Sequence, residues 1–453
     1  MKLESKERPA VAFCAVALLP SLVAAAVLWI LPIGDLDVDR SAMAARDYTD
    51  MWAAGYLVAL GQGDTLFDLA AFNAALHSMF GAGFPHQVWP YPPPILLLAV
   101  PLSLLPLLPG FLLYTAGTAA LLWLALRAGG LTRPACAAVL LSPALADNAL
   151  TGQNGSLTAA LLFGGLFLVH RRPVLAGAIL GALVIKPQLG MLVPLCLIAS
   201  GNWRALLAMA TSASLLIAAS ALLFGVDAWI GFLVHTRPMI AAILEAPWRA
   251  LPAQQNFASP LMAARSVGAS MGVAYGIQTA VTLLCGAVAW WTWRTPDFER
   301  IPRVALTGLL ALAAAPWVHT YDMIPLAVAI VVLAARMRRP SALLGFAWFW
   351  PGAVVLLPIP LPLSVASIAA VAWSVWREGR HSGSAAWNIP ATLGHREKGA
   401  PLVHQAPLTT THTVMPGASC AHGPVTWDRI VPAGSRHISA RQLRHDPTAA
   451  RSA

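Results

Sequence analysis

The stretch RDYTDMWAAG, residues 46–55, carries two carboxylates, Asp47 and Asp50, just beyond the first long apolar segment of a chain with few charges. An acid in that position does one of two things. It accepts hydrogen bonds from the first turn of a helix, or it serves as a base at a membrane surface. Asp47 opens a stretch of helical apolar spacing, and the residues alone leave both roles open. Asp50 falls one turn later and reads as the solvated face of the same helix, while Asp64 in GQGD reads as a turn residue.

Four further groups have side chains suited to chemistry. Lys186 in ALVIKPQLG is an ammonium inside an apolar run, followed by Pro187. Either a broken helix end opens there onto a polar cavity, or the side chain snorkels to the interface. Gln153 and Asn154 open another apolar segment: Asn154 suits a helix cap, and Gln153 can meet a sugar or a headgroup. APWVHTYDM sets an imidazole, a phenol and a carboxylate, His319, Tyr321 and Asp322, within four residues; loop solvation would explain them as well as a site would. Arg237 and Arg249, with His235 and Trp248, lie in the 226–258 loop, and Arg265 follows it. Such arginines hold a phosphate through forked hydrogen bonds or contact lipid phosphates without specificity. No nucleotide-binding, metalloprotease or serine-hydrolase signature stands in a fitting context.

The elements that must position these groups follow from composition. The 453 residues are 58% hydrophobic and 11% charged, with a mean hydropathy of +0.68, against roughly 25% charged in a soluble domain. An all-α polytopic membrane protein is expected, because closed barrels read as short alternating strands and these segments do not. Apolar segments fall at about 92–107, 109–127, 133–147, 154–170, 173–185, 188–200, 204–224, 270–293, 302–316, 322–335, 341–357 and 361–377. Several are too short for a bilayer core of about 30 Å. Some are therefore expected to be tilted, broken or re-entrant, as near Pro93, Pro101 and Pro106, and because thirteen full crossings would leave the tail outside, at least one segment between 92 and 147, not identified by the sequence, is expected not to span.

The N-terminal run over 11–33 lacks a small-residue cleavage site and reads as an uncleaved first span. Residues 34–90 form an outer loop in which DYTDMWAAGYLVAL and LFDLAAFNAALHSMF are expected to be amphipathic helices along the outer membrane surface. The basic loops HRRP, GNWR, WRTPDFERIPR, ARMRRP and WREGR mark cytoplasmic ends, so Gln153, Lys186, the 226–258 loop and His319 share the outer side with Asp47. The net charge of +10 follows from this asymmetry and from contact with anionic membrane lipids, not from nucleic acid. Five scattered cysteines form no CxxC or Cys/His cluster, so no metal is expected. Residues 1–380 are read as the membrane domain, and 381–453, rich in Ser, Thr, Pro, Gly and His, as a disordered cytoplasmic tail.

Several stretches together resemble the family 87 glycosyltransferases: DYTDMWAAGYLVALGQGDTLFD, WPYPPPILLLAVPLSLLP, the run from LTGQNG through VIKPQLG to GNWRA, and APWVHTYDM. The resemblance runs in order from about residue 40 to 335. It implies a GT-C-like bundle of about 11–13 membrane helices with amphipathic helices in the first outer loop. That loop would supply a catalytic Asp, here Asp47, with Tyr48, Trp52 and Gly55 in register and Met51 in place of an aromatic. The resemblance implies that Gln153, Lys186 and His319 line the cavity and leaves open whether His319 or Tyr321 meets the donor phosphate; one or more of Arg237, Arg249 and Arg265, read from the residues themselves, would be further substrate ligands. The implied donor is a polyprenyl-phosphate-linked sugar, by family default mannose, and no cofactor is required. The implied acceptor is a glycolipid or polysaccharide met at the outer face of a plasma (inner) membrane. A lipid or solute transporter is the alternative, since broken helices and buried charges also serve transport.

Overall fold

Every described element is helical, apart from one isolated antiparallel bridge between Phe257 and His319. The computed structural model describes residues 39–45, 47–337, 341–353 and 360–380. The span expected over 11–33 and the tail expected over 381–453 lie outside the described residues.

After a short α1 (Arg40–Ala45), the polar interval before residue 90 folds into α2 (Asp47–Ala59) and α3 (Leu69–Phe80), the two helices its apolar spacing predicts. Asp68 caps α3: its carboxylate accepts from the Ala70 and Ala71 amides, both at 2.9 Å, meeting donors that a helix start leaves open. Tyr48, Met51, Leu57, Phe72, Leu76 and Phe80 join Trp89 and Phe111 in a core of their own. The apolar faces are therefore packed on protein, that of α2 chiefly on α4 (Leu96–Ser103). Trp52 donates its indole N–H to the Leu105 carbonyl at 2.8 Å. Gly55 brings α2 so close to α4 that a Cβ would lie 2.2 Å from the Ala99 carbonyl oxygen. Gly55 thus fits α2 to α4, and Trp52 ties it to the turn just after α4.

The α4 helix has 8 residues and contains Pro101, so it rises only about 12 Å and cannot cross a bilayer. By contrast α5 (Leu107–Gly129), of 23 residues, is long and apolar enough to do so. Two short helices follow, α6 (Arg133–Leu140) and α7 (Pro143–Thr151), bent at Ser142, whose hydroxyl accepts the Leu145 amide. Next come α8 (Gly155–Leu168), buried on nearly every side, and α9 (Pro173–Gly181) with a 3₁₀ turn to Ile185. Beyond Lys186 lie α10 (Pro187–Gly190) and α11 (Val193–Ala199).

The second long apolar helix is α12 (Trp203–Phe224); only 6% of its apolar window is buried, as expected of a helix that meets lipid. Short α13 (Val226–Gly231), a π-helical turn at Phe232–Thr236 and α14 (Arg237–Glu245) lead to α15 (Pro260–Ser266). The third long apolar helix is α16 (Met271–Arg294). It is followed by α17 (Arg300–Ala314), α18 (Ile324–Ala334), α19 (Ala342–Ala353) and α20 (Leu361–Arg380). Residues Ile324 to Leu333 of α18 are all buried, and a helix apolar all round belongs at the centre of a bundle. With α8 and α17 it forms the main core. The chain is an all-α polytopic membrane protein.

Gly55→Ala is expected to destabilise the fold by about 1–3 kcal/mol, the usual cost of overpacking, read as a lower Tm in detergent. An unchanged Tm would show that α2 does not sit this close to α4.

Candidate active site

Asp47 is the first residue of α2, and its Oδ2 accepts a hydrogen bond from Gln153 Nε2 at 2.7 Å. The other end of that amide, Oε1, accepts the Tyr91 hydroxyl at 2.9 Å. Gln153 reaches Asp47 because α7 ends on Gly152, in the left-handed region at φ 68°. A Cβ on Gly152 would fall 2.5 Å from Tyr48 Cβ and 2.9 Å from its backbone nitrogen. Glycine therefore serves twice, ending a helix and admitting the start of α2 beside it.

Lys186 occupies the break between the 3₁₀ turn and α10, at φ −145°, ψ 69°. Pro187 disfavours the helical region for the residue before it, and Lys186 lies outside that region, so the backbone turns here and the ammonium is buried. It forms an ion pair with Asp322 Oδ1 at 2.6 Å and donates to Asn154 Oδ1 at 3.0 Å. The two ionic side chains are 4% and 0% exposed, so Lys186 does not snorkel, and its charge is tolerated because it is paired. Asn154 makes no side-chain cap bond to α8; its amide is a ligand of Lys186.

The HTYD residues form a 3₁₀ turn at Thr320–Asp322. Asp322 Oδ2 accepts the His319 amide at 3.2 Å, and Thr320 donates its hydroxyl to Asp147 Oδ2 at 2.7 Å. The Tyr321 hydroxyl lies 3.1 Å from His319 Nδ1, and the two rings stack with centroids 5.0 Å apart. The Lys186 ammonium stands 5.0 Å from the Tyr321 ring centre, and Tyr321 is near enough to feel the charges of Asp47 and Asp147. Behind His319, the Phe257 ring packs at 4.1 Å, and the Ala258 amide donates to the Val318 carbonyl at 2.9 Å.

Five of the residues singled out in the sequence, Asp47, Gln153, Lys186, His319 and Tyr321, thus come together in one network. It has a partly exposed front of Asp47, Tyr91, Gln153 and Tyr321, and a buried back of Asp147, Asn154, Lys186, His319 and Asp322. The three arginines take no part in these contacts. Arg237 and Arg249 are exposed, and Arg265 donates to the Ala246 carbonyl and to Met271. The 226–258 loop reaches the network through Phe257 instead. Tyr91, Asp147 and Phe257 went unread in the sequence, as did the pairing role of Asp322 and the binding of Lys186 by Asn154, which was read as a helix cap. Asp147 carried a usable signal, a carboxylate at the end of an apolar segment; Phe257 carried none.

Electrostatics separates the two acids of α2. Asp50 is 7% exposed and its Oδ1 has no hydrogen-bond partner among the described residues, which corrects its reading as a solvated face. Burial, and then the neighbouring Asp47, hold its carboxyl well above the ordinary carboxylate range. Burial, and then the Lys186 ammonium, push the His319 imidazole down to about 3 from an ordinary 6.5. At neutral pH His319 is therefore uncharged, a hydrogen-bonding group and not a cation.

The helical bundle and its cluster of buried polar groups define a membrane-embedded site. The chain belongs to glycosyltransferase family 87, whose family model matches residues 89–316, and it is a membrane glycosyltransferase, which sets the transporter alternative aside. Asp47 and the HTYD turn lie outside the matched stretch but bond directly to Gln153 and Lys186 within it. No curated protein and no solved structure matches the chain.

Removing one partner of the buried pair, as Lys186→Met or Asp322→Leu, should cost about 3–5 kcal/mol, with the double variant recovering much of it; additive losses in Tm would contradict the pairing. His319 gives a signed pH effect. The unfolded chain binds a proton below about pH 6.5 and the folded chain does not until about 3. The stability that this residue contributes is therefore complete above 6.5 and is lost as pH falls through that window. His319→Gln should flatten the acid limb of a Tm-against-pH curve; an unaltered limb would contradict the neutral imidazole.

Proposed function

We propose that this glycosyltransferase moves a sugar, mannose by family default, from a polyprenyl-phosphate donor to an acceptor hydroxyl at the outer face of the plasma membrane, with inversion. The observation that carries the reading is the Asp47 carboxylate held by Gln153 at 2.7 Å, at the partly exposed front of the buried Lys186 and Asp322 pair.

In this mechanism Asp47 takes the proton of the acceptor hydroxyl as its oxygen forms a bond to the anomeric carbon. The bond from that carbon to the phosphate oxygen breaks, and the electron pair leaves with the polyprenyl phosphate. Gln153 orients the carboxylate, and Tyr91 orients Gln153 in turn. If the Tyr321 hydroxyl donates to His319 Nδ1, the imidazole proton resides on Nε2, which then serves as a donor toward the departing phosphate. Lys186 is engaged by Asp322 and Asn154. Its contribution is a fixed dipole at the back of the site, in place of the mobile countercharge the sequence alone suggests. Arg237, Arg249 and Arg265, proposed from sequence as phosphate ligands, gain no support from the contacts described. The step balances without a metal or cofactor.

Asp47→Asn should lower transfer by roughly 10²–10⁴-fold, the range for a general base, with the protein still inserted and folded. Asp50→Asn should retain turnover, because its carboxyl already disfavours the charged form. The measurement is sugar release from a panel of polyprenyl-phosphate sugars by the purified protein in nanodiscs. Near-normal turnover by Asp47→Asn would remove the base assignment, and consumption of none of the lipid-linked donors would remove the donor class.

A further inference from the structure

A recess of about 540 Å³ opens at the far ends of the helices that carry the Asp47 network. Two core helices span the distance. One, α8, begins beside Asn154 and ends just before His170; the other, α17, begins at Arg300 and ends just before the HTYD turn. At 1.5 Å per residue each is about 20 Å long. Three guanidinium groups, those of Arg294, Arg300 and Arg303, line the recess with the His170 imidazole, and no carboxylate does. Asp297 and Glu299 belong to the same loop without lining it, and Glu299 is taken by Arg336.

The protein alone leaves this charge uncompensated. Arg303 is 8% exposed, yet the ion pairs among the described residues are those of Lys186 and Arg336. Arg300 and Arg303 stand in the first turn of α17, where the helix dipole opposes a cation, and no acid stands there with them. His170 is close enough to feel both guanidinium charges. A buried charge needs a countercharge, and here two cations converge at the wrong end of a helix.

The guanidinium groups are also fixed in place. Arg303 donates through Nη2 to the Thr295 carbonyl at 2.6 Å and to that of Phe298 at 2.8 Å. Its Nη1 donates to no described residue, and of its unpartnered nitrogens only Nε is closed off from solvent. Arg300 donates through Nη2 to the Gly129 carbonyl at 2.8 Å, and Arg294, exposed, lies over the Trp290 ring. Held guanidinium groups with donors to spare suit the oxygens of a phosphate.

We infer that this recess holds the phosphate headgroup of an anionic phospholipid, at a site separate from sugar transfer and independent of that reading. Depth favours a lipid as the source of the phosphate. Trp203 and Trp291, 57% and 39% exposed, follow and precede the lining residues Ser200 and Arg294 closely in the chain, and indoles gather at headgroup level. The basic loops assign this end to the cytoplasmic leaflet, whose surface is anionic. With the lengths of α8 and α17 between them, a phosphate bound here is not the one that leaves at Asp47. It supplies the countercharge that Arg303 lacks, and it ties the loop after α8 to the start of α17.

The test titrates the full chain in detergent with phosphatidylglycerol, with phosphatidylcholine of the same acyl chains and with soluble glycerol phosphate, counting bound adducts by native mass spectrometry. Phosphatidylglycerol should bind about tenfold more tightly than phosphatidylcholine. The double variant Arg294→Gln, Arg300→Gln should lose about tenfold in that affinity, as expected for the loss of charge-assisted hydrogen bonds. A charge-matched control, Arg204→Gln with Arg377→Gln, removes two exposed arginines outside the recess and should bind as the parent does. Arg294→Gln alone breaks no hydrogen bond to a described residue and should still lose several-fold if the double variant folds poorly. Equal binding of the two lipids, or an equal loss in control and recess variants, would overturn the inference. Glycerol phosphate bound as tightly as the lipid would overturn it too, by making the occupant a soluble phosphate.

Discussion

An ammonium and a carboxylate shut away from water can persist only together, since each alone costs several kcal/mol to bury. The contact between Lys186 and Asp322 joins residues 136 apart in the chain, and Asn154 closes a third corner on the same nitrogen. Three backbone segments that no local propensity would bring together are thereby held at one point. Once they are, the Tyr321 ring faces the ammonium, Thr320 meets Asp147, and Gln153, next to Asn154, is placed against the start of α2.

That arrangement divides the labour within the site. The charged pair and the neutral His319 lie behind, where the low dielectric strengthens each interaction and fixes its geometry. Asp47, the proposed base, and Gln153, which holds it, lie in front, and His319 is the one group of the back proposed to donate toward the leaving group. A preorganised back wall of this sort stabilises developing charge without having to reorganise during the reaction. Asp50 illustrates the same rule from the other side: one turn from Asp47, it is buried with no ionic partner among the described residues, and its carboxyl is driven toward the neutral form.

Much of the fold was legible because bilayer physics is written in composition. Apolar length separates α5, α12 and α16 from shorter helices such as α4 and α8. Pro187 and Gly152 mark breaks of the kind that backbone sterics favour at those residues. The site was partly legible for the same reason, since Lys186 in an apolar run and Asp47 beside one are costly enough to need an explanation. The arginines of the 226–258 loop misled, because a guanidinium on an exposed loop looks the same whether it meets a substrate or solvent. Phe257, which does reach His319, is one apolar residue among many.

By itself the sequence determined that the chain is a helical membrane protein, where its helices break, and which few polar groups are too expensive to be incidental. Those properties depend on each residue and its near neighbours. Only the tertiary structure decided that Lys186 is paired and not free, that His319 is neutral, that Asn154 binds a side chain instead of capping a helix, and that Asp50 is buried. Each of these depends on a partner or a burial environment supplied by a distant segment, and neither residue type nor spacing encodes that distance.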